Sequence, residues 1–265
     1  MKKALYIILI TSFIAISCEE VIDVNLNESS PSLVTEGSIL YNSLCNVRLI
    51  YTSSFFDTAG YAFEDEAIIT ISDSEERSEV LEYIGEGNYR GNVITGLPGH
   101  TYTMSITVGD NEYRAQSKLN LHPTLLQLKY EELEIPHHTE KTIYTIKSLI
   151  VDDRYHENYY LFRYYRNGEM LNDHYSTYSD RFIQSDTVAY SDYMLHFYGG
   201  DTVKVELYAI DREVYNYFNL VNDVLFSARN SSTPFNPSSN FSGDILGYFM
   251  AASLDTKTII IDYID

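Results

Sequence analysis

A cysteine at the end of an apolar leader is the residue whose position most clearly indicates chemistry. Two lysines precede an apolar run over residues 4–16, and Ser17 and Cys18 follow it. A charged head, a short apolar run and a small residue before the cleavage point are typical of a secretory signal peptide. The run is too short to span a bilayer, which takes about 20 apolar residues. We therefore predict that residues 1–17 are a signal peptide and that the mature chain begins at Cys18.

The residues before Cys18 resemble the lipobox of bacterial lipoproteins, in which a peptidase cuts before the cysteine and the thiol carries diacylglycerol. Ala15 and Ile16 stand where Leu and Ala are commoner, a loose form that is usual in lipoproteins of the phylum Bacteroidota. The alternative is an ordinary signal peptide cut near Ser17, with Cys18 unmodified. The resemblance implies that Cys18 carries acyl chains such as palmitate and anchors the chain to a membrane.

A second group of side chains that could bind a metal ion consists of Glu134, His137, His138 and Glu140. Imidazoles and carboxylates together are the ligands of many zinc sites. Adjacent histidines, however, point to opposite sides of a strand and lack the i, i+4 spacing of a helical zinc site. We therefore interpret this segment as an exposed loop and predict no metal and no cofactor.

Three acidic clusters, at 64–66, 73–76 and 152–157, lack the alternating carboxylates and glycine of a calcium loop. We interpret them as solvated surface, with weak calcium binding as the alternative. The chain also lacks a Gly-x-Ser-x-Gly elbow, a phosphate loop and a Cys-x-x-Cys pair. We predict no catalytic residue, although a hydrolase built on two carboxylates stays open, because their spacing is set in three dimensions.

The charge balance excludes polyanionic partners. Without the two lysines of the leader, 16 basic residues face 38 acidic ones, a formal net charge of −22. A chain this acidic is repelled by nucleic acid and by anionic lipid, so membrane attachment depends on the acyl anchor. Cys45 is the second of two cysteines; with Cys18 lipidated it has no partner, and its apolar neighbours predict a buried side chain.

The sequence pattern in the first half of the mature chain predicts a succession of short strands. Apolar residues recur at every second position, with turn signals about ten residues apart, which is typical of an antiparallel sandwich. We predict a tether over 18–31 and an all-β domain over 32–121. The segment His122-Pro123 marks the predicted boundary, because proline interrupts both helix and strand pairing. The alternating sets are Val47, Leu49 and Tyr51; Ala67, Ile69 and Ile71; and Tyr102, Met104, Ile106 and Val108.

The second half, residues 122–265, is predicted to be β-rich with one helix. The segment Asn167-Gly168 indicates a tight hairpin turn, because both residues tolerate positive φ. The helix is predicted over about 211–229, opened by an acidic cap and followed by an apolar stripe at spacings of four and three. The stripe consists of Val214, Phe218, Val221, Leu225 and Ala228. Strands are predicted at 125–133, 142–151, 159–166, 188–193, 202–210 and 256–263, with a loop before the last. The fold class is therefore mainly β: two antiparallel sandwich-like domains, the second with one amphipathic helix.

Tyrosine is abundant, with 25 residues, whereas tryptophan is absent. Rigid aromatic faces that carry hydroxyl groups suit the binding of peptides or glycans. Four tyrosines of the second half, Tyr159, Tyr160, Tyr164 and Tyr165, form the predicted ligand surface. The alternative is that these rings pack within the strands, since tyrosine also favours half-buried pleated surfaces.

The motifs of the first half resemble those of transthyretin-like sandwich domains. They are an Ala-x-Ile-x-Ile strand at 67–71, a Gly-x-Tyr strand at 87–89, and Leu-Pro-Gly-x-x-Tyr-x-Met-x-Ile at 97–106. The resemblance implies a structural or adaptor module, and a fold of this kind does not determine a function.

The order of motifs over nearly the whole mature chain resembles a Bacteroidota lipoprotein family catalogued as a domain of unknown function, forty-two forty-nine in that series. After the lipobox come a Leu-Val-Thr-Glu-Gly strand at 33–37, a Tyr-x-Tyr-Phe helix at 215–218 and Gly-x-Ile-Leu-Gly-Tyr-Phe at 243–249. Such proteins are commonly encoded beside TonB-dependent outer-membrane transporters. The resemblance implies an accessory role in capturing a small ligand, a peptide or a glycan, with no catalytic residues.

These observations predict an outer-membrane lipoprotein held by its acyl anchor. The acidic residues Glu19, Glu20 and Asp23 resemble the export signal to the outer face, with the periplasmic face as the alternative. A second hypothesis is a structural or adhesive protein like the fimbrillins, which are matured by cleavage after Arg or Lys. The mature chain has neither residue before Arg48, which lies in a predicted strand, and this disfavours the second hypothesis.

Overall fold

The computed structural model describes residues 30–53, 60–134, 142–181, 185–229 and 235–263. Within these ranges lie one helix and sixteen strands. They are β1 (Leu33–Leu40), β2 (Leu44–Tyr51), β3 (Ile68–Asp73), β4 (Ser78–Val80), β5 (Glu82–Gly85), β6 (Asn88–Thr95), β7 (Thr101–Val108), β8 (Asn111–Lys118), β9 (Thr124–Glu132), β10 (Tyr144–Val151), β11 (Tyr159–Arg166), β12 (Glu169–Met170), β13 (Ser176–Ser179), β14 (Thr187–Ser191), β15 (Thr202–Ile210), α1 (Arg212–Arg229) and β16 (Leu246–Ile260).

One nine-stranded sheet runs through the described chain. Its order is β12-β11-β15-β16-β1-β2-β6-β5, and β13 also pairs with β11. Strand β16 joins the two halves, because its first part pairs in parallel with β1 and its second part pairs antiparallel with β15. Two smaller sheets, β4-β3-β7-β8 and β14-β10-β9, complete the β structure.

The two smaller sheets pack on the same face of the large sheet and form two cores. The first core combines β1, β2 and β6 with β3, β7 and β8, and it includes Phe249 and Ala251 of β16. The second core lies between β11, β15 and the β14-β10-β9 sheet, with Ile259 packed against it. Because alternate residues of a strand share a face, these odd-numbered side chains of β16 place both cores on one side.

The even-numbered side chains of β16 contact the helix on the opposite face of the large sheet. Met250 and Ala252 join Leu161 of β11 and Val214 and Phe218 of α1 in a third core. The predicted fold class is confirmed: the described part of the chain is mainly β, with sandwich-like packing and one helix. Residues 31–265 form one unit with a shared sheet, and the division at 121/122 stays a prediction.

The apolar stripe of α1 is narrower than predicted. Val214 and Phe218 are fully buried, whereas Val221 and Leu225 are only half-buried. The side chain of Ala228 lies outside the described part of the chain. The first two turns of the helix therefore provide most of its contact with the sheet.

Asp211 caps the helix and ties it to both halves. Its Oδ1 atom accepts a hydrogen bond from the Val214 amide at 2.9 Å, which satisfies one of the unpaired donors of the first turn. Its Oδ2 atom accepts from the Ser117 hydroxyl and from the Lys118 amide. The Ser117 hydroxyl in turn accepts from the Ala251 amide at 2.8 Å. The predicted acidic cap is confirmed and is also a link between β8, α1 and β16.

Replacing Asp211 with alanine is expected to lower the free energy of unfolding by about 2–4 kcal/mol, because the helix cap and two further hydrogen bonds are lost together. Urea denaturation measures the change. Asp211→Asn retains an acceptor for the Val214 amide and is expected to cost less than half as much. Equal losses in the two variants would show that the capping bond contributes little.

The last strand departs most from the prediction. A strand was expected over 256–263 with a loop before it, whereas β16 already begins at Leu246 and extends over 15 residues. Met250, Ala251 and Ala252 are all buried, because this part of the strand lies between a small sheet on one face and α1 on the other. A strand buried on both faces lacks the period-2 alternation that predicts an exposed-face strand.

Candidate functional site

A groove of about 510 Å³ lies beside the segment that links the two halves of the chain. One wall is made by the end of β8 and the residues up to Thr124, the other by the connection between β10 and β11. The linking segment is fixed to the large sheet, because Ser253 donates to the Asn120 and Leu121 carbonyls and Asp255 accepts from the Leu125 amide. The volume is within the range of small-molecule sites, roughly 300–1,000 Å³.

A pair of buried carboxylates lies beside this groove, and one of the two, Asp152, lines it. Asp152 follows β10 and Asp180 follows β13, and both are buried. Asn158 binds them together: its amide Nδ2 donates to Asp180 Oδ2 at 2.9 Å and to Asp152 Oδ1 at 3.3 Å. The Asn158 backbone amide also donates to Asp180 Oδ1 at 2.8 Å. The pair therefore fixes the entry to β11 against the ends of two neighbouring strands.

Tyr160 completes the contacts of Asp152. Its hydroxyl donates to Asp152 Oδ1 at 3.0 Å, while its ring packs in the second core. The other oxygen, Asp152 Oδ2, is buried and has no hydrogen-bond partner among the described residues. The Tyr178 hydroxyl is likewise buried without a partner in the described part of the chain. Buried polar atoms are nearly always hydrogen-bonded, so two such atoms at one site require an explanation.

The environment of Asp152 favours its protonated form. Burial, followed by the close contact with the Asp180 carboxyl, raises the pKa of Asp152 from 3.8 to about 6. Burial and the nearby charges of Asp152 and Asp180 raise the pKa of Tyr178 to about 12. Two ionised carboxylates at close range repel each other, so the pair is more stable when it holds one proton.

The raised pKa predicts a pH-dependent cost to stability. Because the folded chain binds the Asp152 proton more tightly than the unfolded chain, stability falls as the pH rises from about 4 to about 6. Asp152→Asn removes this cost and is expected to be more stable than the wild type by about 1–3 kcal/mol at pH 8. The difference should largely vanish at pH 4. Urea denaturation at the two pH values measures it.

Asp153→Asn is the matched control for this prediction. The hydrogen bond from His156, and then that from the Tyr155 amide, hold the pKa of Asp153 below its usual range. Removing this carboxylate is therefore not expected to stabilise the chain at pH 8. If Asp152→Asn is less stable than the wild type at pH 8, the ionised carboxylate stabilises the fold and the electrostatic interpretation of the pair is wrong.

The four tyrosines of the predicted ligand surface do not share one surface. Tyr160 and Tyr164 are 4% and 2% exposed and lie in the second core. Tyr159 and Tyr165 lie on the opposite face of β11: the Tyr159 ring packs against Tyr215, and the Tyr165 hydroxyl donates to Glu206 at 3.0 Å. The cause is the strand geometry, in which adjacent side chains point to opposite faces. Packing within the strand explains Tyr164, while Tyr159 and Tyr160 both line the groove.

A serine, a histidine and an aspartate meet at the other end of β13, in an arrangement unlike that of a catalytic triad. His174 Nε2 lies 2.6 Å from Asp192 Oδ2, and the Ser176 hydroxyl donates to the same oxygen. A nucleophilic serine requires the imidazole between the hydroxyl and the carboxylate. Here the aspartate lies between the other two, so the trio fixes the segment before β13 to the end of β14.

In the remaining acidic clusters, which lie in the first half of the chain, the buried carboxylates accept hydrogen bonds from nearby residues. Glu64 is buried and accepts from the Tyr51 hydroxyl at 2.5 Å. Asp73 accepts from Arg77 Nε at 2.6 Å and from the Arg77 amide at 3.1 Å. Cys45 is buried without a disulfide, and burial raises the pKa of its thiol. The prediction of a buried Cys45 is confirmed.

Some predicted residues lie outside the described part of the chain, namely Cys18, His137, His138 and Glu140. Among the described residues, no cluster of three or more His, Cys, Asp or Glu side chains is arranged to hold a metal ion. The residues that sequence reasoning missed are Asn158 and Asp180. Only Asp152 lay in a predicted acidic cluster, and the sequence carried no signal that Asp180, 28 positions away, would meet it.

The sequence matches a family model described as "Domain of unknown function (DUF4249)" over residues 19–258. The chain belongs to this family. The DUF4249 match begins directly after Cys18 and includes the groove, the carboxylate pair and the large sheet up to residue 258 of β16. None of the curated protein sequences matches the chain significantly.

Solved structures add little to the DUF4249 assignment. The trypsin-activated alpha-2-macroglobulin from Escherichia coli is similar with a TM-score of 0.23 and 11% sequence identity. The match covers 69% of this chain and 15% of that chain, and a likeness this weak supports no conclusion. In the described part of the chain, no helix has the length and apolar character needed to cross a bilayer.

Proposed function

We propose that the protein is a lipoprotein of the outer membrane in Bacteroidota that captures a small ligand, peptide or glycan for a TonB-dependent transporter. Its lipid anchor is Cys18, and its first sandwich is of the transthyretin-like type. The leader before Cys18 and the formal charge of −22 in the mature chain support attachment through acyl chains rather than through a basic surface.

The observation that carries the proposed capture role is the groove. It has the volume of a ligand site, its walls are fixed by hydrogen bonds to the large sheet, and a buried carboxylate with an unsatisfied oxygen lines it. Preformed walls lower the entropic cost of binding. One other group has the residue types of a catalytic site: Ser176, His174 and Asp192. Their hydrogen bonds hold a turn in place instead.

Co-purification tests the proposed partner. The protein is extracted with mild detergent from the outer membrane of its source, and the bound proteins are identified by mass spectrometry. We expect a TonB-dependent transporter in near-stoichiometric amount. A lipoprotein of another family, purified in parallel, controls for non-specific recovery. Recovery of the protein without any transporter-sized partner would contradict the proposal.

A further inference from the structure

The Asp152 carboxylate has the features of a hydrogen-bond acceptor for a ligand. The residue is only 7% exposed, it lines the groove, and its Oδ2 atom lacks a hydrogen-bond partner among the described residues. The side chain is held in place from the other side, since Oδ1 accepts from Tyr160 and Asn158. An oriented acceptor with one satisfied and one unsatisfied oxygen is suited to a donor that arrives with a ligand.

The neighbouring carboxylates differ from this pair because each has a cationic partner. Asp153 pairs with His156 at 2.6 Å and Glu157 with Arg181 at 3.6 Å, and Asp186 pairs with Arg154. Asp152 and Asp180 form no ion pair with any residue that the structure describes. The two buried carboxylates, which lose the most hydration, are therefore the ones without a countercharge.

The groove also favours an organic cation over a metal ion. A calcium ion takes six to eight oxygen ligands, and no metal-binding cluster is present among the described residues. The groove wall includes Leu121 and Val151, which are 77% and 42% exposed. Apolar side chains beside a buried carboxylate fit a ligand with a cationic head and an apolar body.

We propose that the groove binds an organic cation, a primary amine or a guanidinium, whose N–H groups donate to Asp152 in place of the proton that this carboxyl otherwise holds. This inference rests on the proposed capture function and gives its ligand a chemical class. At pH values where the pair holds a proton, binding displaces that proton to solvent; at pH 8 the cation binds the pair in its ionised form. The ligand's positive charge then balances the second carboxylate.

Other titratable and charged groups surround the pair. They come from the connection between β10 and β11, from β11, from β13 and the turn after it, and from the residue before β14. They are Asp153, Arg154, His156, Glu157, Tyr160, Tyr178, Arg181 and Asp186. His156→Gln serves as the control for the pH experiment, because it removes the imidazole that contacts Asp153, the neighbour of Asp152.

The binding test uses the full-length protein in detergent with hexylamine and hexylguanidinium as probes and 1-hexanol as their neutral counterpart. Isothermal titration calorimetry at pH 8 measures affinity. We expect both cations to bind the wild type and Asp152→Asn to weaken binding by about tenfold or more, the scale of a charge-assisted hydrogen bond. Asp186→Asn, which removes the same charge outside the groove, is expected to change affinity less than twofold.

A proton-release experiment distinguishes the exchange of a proton for the cation from simple electrostatic attraction between the cation and the acidic chain. Titrations at pH 6 in buffers of different ionisation enthalpy report the protons released per bound cation. We expect net release by the wild type and by His156→Gln, no release by Asp152→Asn, and weaker binding at pH 5 than at pH 8. Release that disappears in His156→Gln would assign the proton to the imidazole and overturn the proposed exchange.

The other outcomes also decide the proposal. Equal binding of hexylamine by the wild type and Asp152→Asn, or binding of hexanol as tight as that of hexylamine, would overturn it. Stabilisation of the wild type by calcium chloride that Asp152→Asn lacks would assign the pair to a metal ion instead. Recovery of a transporter by a protein that fails to bind either cation would leave the capture function standing and reject only this ligand class.

Discussion

Cys18→Ser is expected to move the protein from the membrane fraction to the soluble fraction. Two or more acyl chains give stable anchoring, whereas the acidic mature chain is repelled by anionic lipid. With 16 basic residues against 38 acidic ones, the electrostatic term cannot replace the lost chains. Fractionation of cells that produce each variant, with labelled palmitate as the tracer, measures both the location and the modification.

The control for this experiment is Cys45→Ser, which changes the other cysteine of the chain. Cys45 is buried, so its substitution leaves the anchor intact and should leave the label and the membrane location unchanged. Retention of Cys18→Ser in the membrane after a high-salt wash would show that another part of the chain holds the protein there. The lipid-anchor proposal would then be wrong.

Gly247→Ala is expected to lower the free energy of unfolding by about 4 kcal/mol or more, because neither the backbone nor the neighbouring strand can accommodate a side chain. Gly247 has a φ of 98° at the start of β16. A Cβ atom there would lie 1.8 Å from the Thr35 carbonyl oxygen of β1, its partner in the parallel pair. Urea denaturation, or the yield of soluble protein if the variant does not fold, measures the loss.

Gly168→Ala is the control that measures the cost of backbone strain without a steric clash. Gly168 has a φ of 91°, close to that of Gly247, but a Cβ atom there would meet nothing within 4 Å. This variant is expected to lose only about 1 kcal/mol. If both variants lose the same amount, the close approach of β1 and β16 does not limit stability, and the junction of the two halves is looser than we infer.

Local pattern predicted much of the fold because local physics decides it. Strand β11 lies at 159–166 as predicted, and the hairpin turn after it has φ values of 54° and 91° at Asn167 and Gly168. Asp211 precedes the helix as its cap. These features depend on positive-φ residues, acceptor side chains and period-2 alternation, all of which a sequence displays directly.

The features that depend on contacts between distant parts of the chain were harder to predict from the sequence. The first half of β16 is buried on both faces and so lost its alternation, and its parallel pairing with β1 joins residues more than 200 positions apart. Gly247 stood in a motif of the family resemblance, but its role appeared only with the Thr35 carbonyl beside it. Strand pairing at such separations leaves no local signature.

The candidate site was the least predictable part. Asp152 belonged to a cluster interpreted as solvated surface, and it is buried. Asn158 and Asp180 carry no motif, and they reach Asp152 only because β11 and β13 pair and bring their ends together. The tyrosines at 160 and 164, in contrast, could have been assigned to one face of the strand from their even spacing alone.

Native mass spectrometry of the protein purified from its own outer membrane tests the ligand-capture role most directly. The wild type and Asp152→Asn are compared under the same conditions, and the variant is expected to be at least as stable as the wild type. We predict a small additional mass with a positive charge on the wild type that the variant lacks. The same spectrum for both proteins, with or without a bound species, would contradict a capture site at Asp152.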